Sequence, residues 1–261
     1  MELIRSNRTE ALADALAAQV RHSPLDPLAK EVVVVQSRGM ERWLLLALSK
    51  RLGIWANPWF PFPRVLIERV LGKLETGASE DSKAYDPARL KWTVAELLRE
   101  GPPSDLRRYL SASDGDDRLL RLSTSVASVF DEYVMYRPDL LRSWATGEDD
   151  DWQAELWRRV VERLGPRDLA SRIEEGIATL SSSEAASEIG LERLHLFSVE
   201  TLPPLFLRFF QELANVVPTF VYSLEPSNQY LGDVPSRAER AAADPEELDG
   251  HTFLTDDGRL S

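Results

Sequence analysis

The sequence predicts an α/β fold in which a parallel β-sheet is interrupted by a large all-helical segment. Three observations lead to this prediction. Residues 32–35 are four consecutive valines, the continuous apolar run of a parallel strand that is buried on both faces. A helical pattern follows this run directly, so strand and helix alternate early in the chain. From residue 65 to about residue 177 the periodicity is helical, and clear strand character returns only at Leu194.

The first predicted strand and helix lie next to the amino terminus. Residues 3–4 (Leu-Ile) are a short strand candidate. Asn7 is a candidate N-cap because Glu10 follows three residues later, as in a capping box. In residues 12–20, apolar side chains recur at every fourth position on one helical face. With the valine strand and the helix after it, this gives strand–helix–strand–helix, the start of an open parallel sheet.

The valine strand leads into the turn Gln36-Ser37-Arg38-Gly39-Met40 and then into an apolar-striped helix that ends near Gly53. Nucleotide-binding proteins place a phosphate-binding loop at such a junction, but that loop needs several glycines, a lysine and a Ser or Thr. Gly39 and Ser37 do not have the required spacing, so ATP binding in the usual mode is not expected. Two interpretations remain open. The turn is an ordinary connection, or its polar residues together with Arg42 form a surface along which a nucleic acid strand passes.

The connection after this helix, residues 55–63 (WANPWFPFP), is rich in proline and aromatic residues. Its three prolines exclude a helix or a central strand, because they lack a backbone donor and fix φ. The aromatic side chains are candidates for stacking on unpaired bases. The alternative is that they cover an edge of the apolar core.

A second aromatic stretch, residues 130–138 (FDEYVMYRP), has helical spacing. The simplest interpretation places Phe130, Tyr133 and Tyr136 in the core. The alternative is a nucleic-acid contact, in which Arg137 pairs with a phosphate or base edge and Asp131 accepts a hydrogen bond from an exocyclic amine. Asp131 and Glu132 alone are a weak nuclease signal, because neighbouring residues on a helix point to different faces.

The composition excludes several kinds of site. With no cysteine, the chain cannot form disulfides, iron–sulfur clusters or thiolate zinc sites, and its three scattered histidines disfavour a histidine metal site. The formal net charge of −12 argues against non-specific coating of nucleic acid and confines any basic groove to a local surface. No apolar run approaches the ~18–20 residues of a membrane span. We therefore expect a cytoplasmic protein without membrane contact.

Two acidic runs, residues 113–117 (SDGDD) and 148–151 (EDDD), are predicted to be solvated loops. Neither has the ligand spacing of an EF-hand.

The late strands predict a discontinuous domain. Residues 194–199 (LHLFSV) and 219–224 (TFVYSL) are strand candidates on either side of an apolar helix. We therefore predict an α/β domain made of residues 1–62 and 191–234, with an inserted helical subdomain over residues 63–190. Residues 235–261 are predicted to be a polar tail, and we expect the chain to be a fragment of a longer polypeptide.

Five segments of the chain occur in the order in which they occur in the RecC family. They are SNR near the start, VVVVQSRGMERWL, LGIWANPWFPFP, FDEYVMYRPDLL followed by a Trp and TGE, and FSVETLPP. The chain therefore resembles the amino-terminal part of RecC proteins, the γ subunits of the bacterial RecBCD helicase–nuclease (exodeoxyribonuclease V). Each motif is weak alone, but five in order with similar spacing are specific.

The resemblance implies a fold and a function. The fold would be P-loop NTPase-like, similar to the first motor domain of a superfamily 1 helicase that has lost its ATP-binding residues. The function would be that of a non-catalytic subunit in double-strand break repair and recombination, which needs no cofactor of its own. Such a subunit guides the 3′-ended single strand and scans it for the hotspot sequence Chi. Its partners would be DNA, a RecB-like helicase–nuclease subunit and a RecD-like helicase subunit.

The resemblance also implies which residues contact DNA. They are Gln36, Arg38, Arg42, Phe62, Asp131 and Arg137. Arg38 and Arg42 replace smaller or uncharged polar residues, and Glu68 replaces an expected aromatic residue. Because arginine favours phosphate or guanine over adenine, the recognised DNA sequence is expected to be altered or absent. The alternatives to a scanning subunit are an active ATP-dependent helicase module and a pure scaffold for partner subunits.

Overall fold

Five parallel β-strands form one sheet in the computed structural model of the chain. The structure describes residues 1–26, 28–55, 57–75, 83–111, 115–147, 149, 151–180 and 188–225. Within these residues the strands have the order β1-β5-β4-β2-β3, and every neighbouring pair is parallel. Their bounds are β1 (Glu2–Ser6), β2 (Glu31–Val34), β3 (Pro58–Trp59), β4 (Leu194–Phe197) and β5 (Thr219–Leu224). The predicted α/β class with a parallel sheet is confirmed.

Of the helices whose bounds the structure describes, two precede β3, seven lie between β3 and β4, and one joins β4 to β5. The helices are α1 (Thr9–His22), α2 (Arg38–Leu52), α3 (Pro63–Leu74), α4 (Pro87–Glu100), α5 (Ser104–Leu110), α6 (Gly115–Tyr136), α7 (Pro138–Thr146), α8 (Trp152–Leu164), α9 (Leu169–Leu180) and α10 (Pro204–Val216). The helical periodicity of the middle of the chain therefore corresponds to helices. None of the helices in the described ranges is both long enough and apolar enough to cross a membrane.

Strand β2 lies between two apolar clusters, as its unbroken run of valines predicts. Val32 and Val34 belong to a large cluster that also contains buried residues of α3, α9 and α10. Val33 and Val35 belong to a second cluster, formed with α1 and α2 on the other face. Because consecutive strand residues point to opposite faces, one short apolar segment anchors both layers.

The helices between β3 and β4 have an aromatic centre. The ring of Phe130 on α6 lies 5.2 Å from that of Trp157 on α8 and 6.4 Å from that of Trp144 on α7. Phe130 is fully buried and Tyr133 packs against the same large cluster, so the simplest interpretation of this stretch is confirmed for these two residues. For Tyr136 it was wrong, because that side chain is 52% exposed at the end of α6.

Residues Met1–Leu224 form one compact unit, in which the large apolar cluster includes residues of both the sheet and the helices between β3 and β4. The division of the chain into residues 1–62 and 191–234 around an insertion of residues 63–190 therefore remains a prediction. The predicted tail, residues 235–261, lies outside the described residues, as do residues 113–114, 148 and 150 of the two acidic runs.

A buried ionic cluster joins β2, β4 and β5 near the amino ends of β2 and β4. Arg193 donates to both carboxylate oxygens of Glu31, at 2.7 and 2.6 Å, and both side chains are almost fully buried. His195 Nε2 lies 2.9 Å from Glu31 Oε1, and its Nδ1 lies 3.2 Å from the Tyr222 hydroxyl. A neutral imidazole with its proton on Nε2 satisfies both contacts, since it donates to Glu31 and accepts from Tyr222.

Candidate nucleic-acid interface

The order of the strands reverses between β2 and β4. From β2 the chain continues to its neighbour β3 on one side, and from β4 it continues to β5 on the other. In open parallel sheets, ligands bind in the crevice outside the carboxyl ends of the strands at this kind of switch point. The crevice between the carboxyl ends of β2 and β4 is therefore the candidate binding site.

The side chain of Gln36 bridges this crevice. Its Nε2 donates to the Thr201 carbonyl oxygen at 2.5 Å, and its Oε1 accepts from the Glu200 N–H at 3.3 Å. The bridged segment follows β4 and begins at Ser198, which has a φ of 49°. A non-glycine residue in this left-handed region is uncommon and is often found at functional sites. Gln36 thus ties the loop after β2 to the turn after β4.

Only three residues connect β2 to α2, fewer than the five-residue turn predicted from the sequence. The helix begins at Arg38 because Ser37 acts as N-cap, with its Oγ accepting from the Met40 N–H at 3.1 Å. Gly39 lies in the first helical turn, where an added Cβ would be 3.7 Å from Ser37 Oγ, an ordinary contact. This connection has neither the length nor the glycine geometry of a loop that wraps around phosphates.

Arg38 is held in place at the start of α2 but remains open to solvent. Its Nη1 donates to Glu41 Oε2 at 2.7 Å, and its Cζ lies 5.2 Å from the centre of the Phe62 ring. The Arg38 side chain is 76% exposed, whereas Phe62 is partly buried against the α1–α2 cluster. The group offered to solvent here is therefore the guanidinium, whose plane can stack on a base or pair with a phosphate.

Arg42 lies one helical turn beyond Arg38 and is exposed. No hydrogen bond or ion pair ties its side chain to another residue in the described part of the chain. Gln36, Arg38, Arg42 and Phe62 therefore lie close together at the carboxyl ends of β2 and β3, and we refer to these four residues as the carboxyl-edge surface. It carries two exposed arginines, one of them paired with Glu41, in a chain with a net charge of −12.

Asp131 is paired within the chain. Both of its carboxylate oxygens accept from Arg64 Nη1, at 2.8 and 2.7 Å, and Arg64 Nε donates to Glu68 Oε1 at 2.9 Å. Burial alone would lower the pKa of Arg64, but the hydrogen bonds to Asp131 and Glu68 outweigh it and raise that pKa. Because Arg64 lies two residues after Phe62, this ion pair joins α6 to the helix that begins beside the carboxyl-edge surface.

Arg137 follows the last residue of α6 and precedes Pro138. Its side chain is 57% exposed, and its Nε lies 3.7 Å from Asp139 Oδ1, a carboxylate that is itself exposed. Along the helix axis it is about 9 Å beyond Asp131, at 1.5 Å per residue. No hydrogen bond or ion pair among the described residues joins Arg137 to the other five predicted contacts.

Two features of the site were missed from the sequence. The first is Arg64, whose partner Asp131 is 67 residues away and could not be assigned from spacing. The second is the turn of residues Ser198–Thr201, which Gln36 holds. Its position after a predicted strand was a usable signal, because the carboxyl ends of parallel strands meet at one edge of a sheet.

Comparisons with known proteins give consistent results. Residues 1–260 match the model of a family described as RecC, N-terminal domain. The chain is 31% identical over 255 residues to the RecBCD enzyme subunit RecC of Escherichia coli (strain K12), an alignment that covers 91% of this chain and 23% of that protein. It is 27% identical to the protein of the same name from Haemophilus influenzae (88% and 24% covered) and 30% identical to that from Mycolicibacterium smegmatis (99% and 24%). The chain thus spans about a quarter of the length of these curated relatives.

Proposed function

The chain belongs to the RecC family, and we propose that it forms the amino-terminal part of a non-catalytic DNA-binding subunit of a RecBCD-type helicase–nuclease. In this proposal the complete enzyme acts in double-strand break repair and recombination. RecB-like and RecD-like partner subunits supply the ATPase, helicase and nuclease activities. The chain described here guides the 3′-ended single strand and scans it for a Chi-like sequence.

The observation that carries this proposal is the short connection and the Gln36 bridge at the crevice between β2 and β4. A phosphate-binding loop would need glycines and a lysine there, but the connection has three residues and Gln36 bridges the crevice to Thr201. Exposed arginines lie directly beside it on α2. The surface is thus suited to a nucleic acid strand and poorly suited to the triphosphate of ATP.

We also propose that the sheet is of the P-loop NTPase-like, superfamily 1 helicase type with a degenerate ATP site. The all-parallel strands and the strand–helix junction at β2 support this assignment. In the same proposal residues 1–62 and 191–234 form the helicase-like domain and residues 63–190 form the inserted helical subdomain. Helices α3 to α9, which follow one another between β3 and β4, support the insertion.

The function is tested with the full-length subunit assembled with its partner subunits. Arg38→Ala and Arg42→Ala are combined, and pausing is measured while the enzyme unwinds a library of DNA sequences. We expect ATP-driven unwinding to continue and the sequence-dependent pauses to be weakened or moved. The control combines Arg108→Ala with Arg121→Ala, which removes two exposed cations from α5 and α6, and should leave the pauses unchanged.

The scaffold alternative gives a different result in this experiment. If the chain only docks partner subunits, the pauses of the Arg38 and Arg42 variant will equal those of the wild-type enzyme. That result would contradict the proposal, provided that the assembled complex has its normal composition.

The ATP-dependent helicase alternative is tested on the isolated chain by calorimetry with ATP and Mg²⁺. Our proposal predicts no heat of nucleotide binding. Binding that is lost on changing Ser37 or Gly39 would establish an active nucleotide site and exclude the non-catalytic assignment.

A further inference from the structure

We infer that the turn Ser198–Thr201 is an additional wall of the DNA site, and that Glu200 accepts a hydrogen bond from the exocyclic amine of an unpaired base. In this inference Gln36 is a positioning residue, which fixes the turn through its two hydrogen bonds and does not itself read the base. The inference rests on the proposed function, since it requires a single strand at the carboxyl-edge surface.

The sheet places this turn beside the carboxyl-edge surface. Strand β4, which precedes the turn, is the neighbour of β2, and β2 is the neighbour of β3. Because adjacent strands are about 4.8 Å apart, the ends of β4, β2 and β3 span roughly 10 Å. Exposed groups across this distance include Glu200, the bridging amide of Gln36 and the guanidinium of Arg38 over the Phe62 ring. In this inference a single nucleotide occupies the span.

The Glu200 carboxylate is available to a ligand. The residue is exposed, and within the described ranges no side chain donates to or pairs with its carboxylate. Its backbone is fixed, however, because its N–H donates to Gln36 Oε1. An acceptor on a fixed backbone can select among bases, since it needs less ordering when the ligand binds.

The hydrogen-bonding chemistry of the Glu200 carboxylate favours bases that carry an amino group. An ionised carboxylate only accepts hydrogen bonds, so it favours the exocyclic amino group of cytosine, adenine or guanine and disfavours the carbonyl oxygens of thymine or uracil. A base that stacks on the Arg38 guanidinium would present its edge towards β4. The positive charge of Arg38 and Arg42 would offset repulsion between Glu200 and the DNA phosphates.

The role of Gln36 follows from how its amide is used. Its Nε2 donates one N–H to the Thr201 carbonyl and its Oε1 accepts from the Glu200 N–H, so the side chain is fixed on the turn from both ends of its amide. The turn also contains Ser198 in the left-handed region, a conformation that persists only when surrounding contacts hold it. Loss of the Gln36 side chain should therefore release the turn and displace the Glu200 carboxylate.

The first test measures amide hydrogen exchange in the chain without DNA. In Gln36→Ala, exchange of the Glu200 amide should accelerate about fivefold, the effect of losing one ordinary hydrogen bond. The Met40 amide, which is bonded to Ser37 Oγ, should be unaffected and serves as an internal reference. Unchanged exchange at Glu200 would overturn the positioning role.

The second test compares two single-stranded octanucleotides, oligo(dC) and oligo(dU), by NMR titration of the labelled chain at low salt. Cytosine and uracil have nearly the same size, but cytosine carries an amino group at ring position 4 where uracil carries a carbonyl oxygen. We expect the wild-type chain to bind oligo(dC) at least about fivefold more tightly, the weaker end of what one base contact provides. Glu200→Gln and Gln36→Ala should both bring the two affinities to within about twofold.

Glu192→Gln is the matched control. Glu192 is also an exposed carboxylate, but it lies just before the amino end of β4, at the opposite end of the strand from Glu200. This variant should keep the cytosine preference. A wild-type chain that binds both oligonucleotides equally, or a preference that survives Glu200→Gln, would overturn the inference while leaving the proposed function intact. Failure of the wild-type chain to bind either oligonucleotide would overturn the inference, whereas the proposed function is decided by the pausing experiment with the assembled enzyme.

Discussion

At the scale of single residues, burial and ion pairing together determine which polar groups are available to a ligand. Arg38 is 76% exposed although it pairs with Glu41, whereas Asp131 is partly buried and has both carboxylate oxygens bonded to Arg64. The sequence identified Asp131 as a hydrogen-bond acceptor because of its residue type and its position in an aromatic stretch. It did not identify Arg64, since helices 67 residues apart are brought together only by tertiary packing.

The Arg64–Asp131 pair is expected to stabilise the packing of α3 against α6. Arg64→Met should lower the free energy of unfolding by about 1–3 kcal/mol, because it leaves the partly buried Asp131 carboxylate without its partner. The measurement is urea denaturation followed by circular dichroism.

Arg163→Met is the matched control for this prediction. Arg163 also contacts two carboxylates, those of Glu96 and Glu100, but all three side chains are largely exposed. Exposed ion pairs contribute little to stability, so this variant should unfold at nearly the wild-type urea concentration. Equal losses in the two variants would show that the Arg64 pair has no special structural role.

At the scale of helices and strands, the sequence predicted most elements and misplaced several ends. The valine strand and the helices after Val65 were identified because their periodicities are strong. The N-cap assigned to Asn7 was wrong. Helix α1 begins at Thr9 with Arg8 as its N-cap and no side-chain cap, and the Ser6 hydroxyl accepts from the Arg8 N–H instead. Capping depends on backbone angles that residue spacing does not determine.

Two glycines in helices are expected to respond to alanine substitution with opposite changes in stability. Gly176 on α9 is buried, and an added Cβ would lie 2.3 Å from Leu71 Cδ2 and 3.5 Å from Phe209 Cε2. Gly176→Ala should therefore destabilise the chain by about 1–3 kcal/mol through overpacking between α9 and α3.

Gly72 on α3 is the control, since an added Cβ there meets no atom within 4 Å. Gly72→Ala should stabilise the chain by up to about 1 kcal/mol, because alanine loses less backbone freedom in a helix. Thermal unfolding of the two variants should thus shift the midpoint in opposite directions. A stabilising Gly176→Ala would show that α9 and α3 are packed less closely than described.

At the scale of the whole molecule, the pairing of distant strands forms both the crevice at their carboxyl ends and the ionic cluster near their amino ends. Strand β2 pairs with β4, and more than 150 residues separate them in the sequence. The sequence predicted the valine run as a parallel, buried strand and residues 194–199 as a strand, but not that the two are neighbours. That pairing places Gln36 against the Ser198–Thr201 turn and places Glu31 against Arg193. Neither contact could be predicted from spacing along the chain.

The buried ionic cluster makes the stability of the fold dependent on pH. Burial would raise the pKa of Glu31, but hydrogen bonds from Arg193 and His195 lower it to about 2. Burial lowers the pKa of His195, against the raising effect of Glu31. Both groups bind protons less readily in the folded chain, so each contributes stability that is complete above its unfolded pKa and is lost as pH falls below it.

The predicted result is a loss of stability as pH falls below about 6.5 for His195, and a further loss between about 4.5 and 2 for Glu31. Glu31→Gln should unfold more easily at pH 7, by about 3–5 kcal/mol, because Arg193 is left buried without its counter-ion. The free energy of unfolding of this variant should also change less between pH 5 and 2 than that of the wild-type chain. Urea denaturation at several pH values measures both effects. A variant as acid-sensitive as wild type would contradict this assignment.

The most direct test of the central claim, that the carboxyl-edge surface binds a DNA strand, is the salt dependence of single-strand binding. For Arg38→Ala combined with Arg42→Ala, the slope of log affinity against log salt should fall in magnitude by about 0.7–1.4, since each neutralised phosphate of a single strand contributes about 0.7. The Arg108→Ala and Arg121→Ala combination removes the same charge from α5 and α6 and should keep the wild-type slope. Equal slopes for the two double variants would show that this surface has no specific contact with the strand.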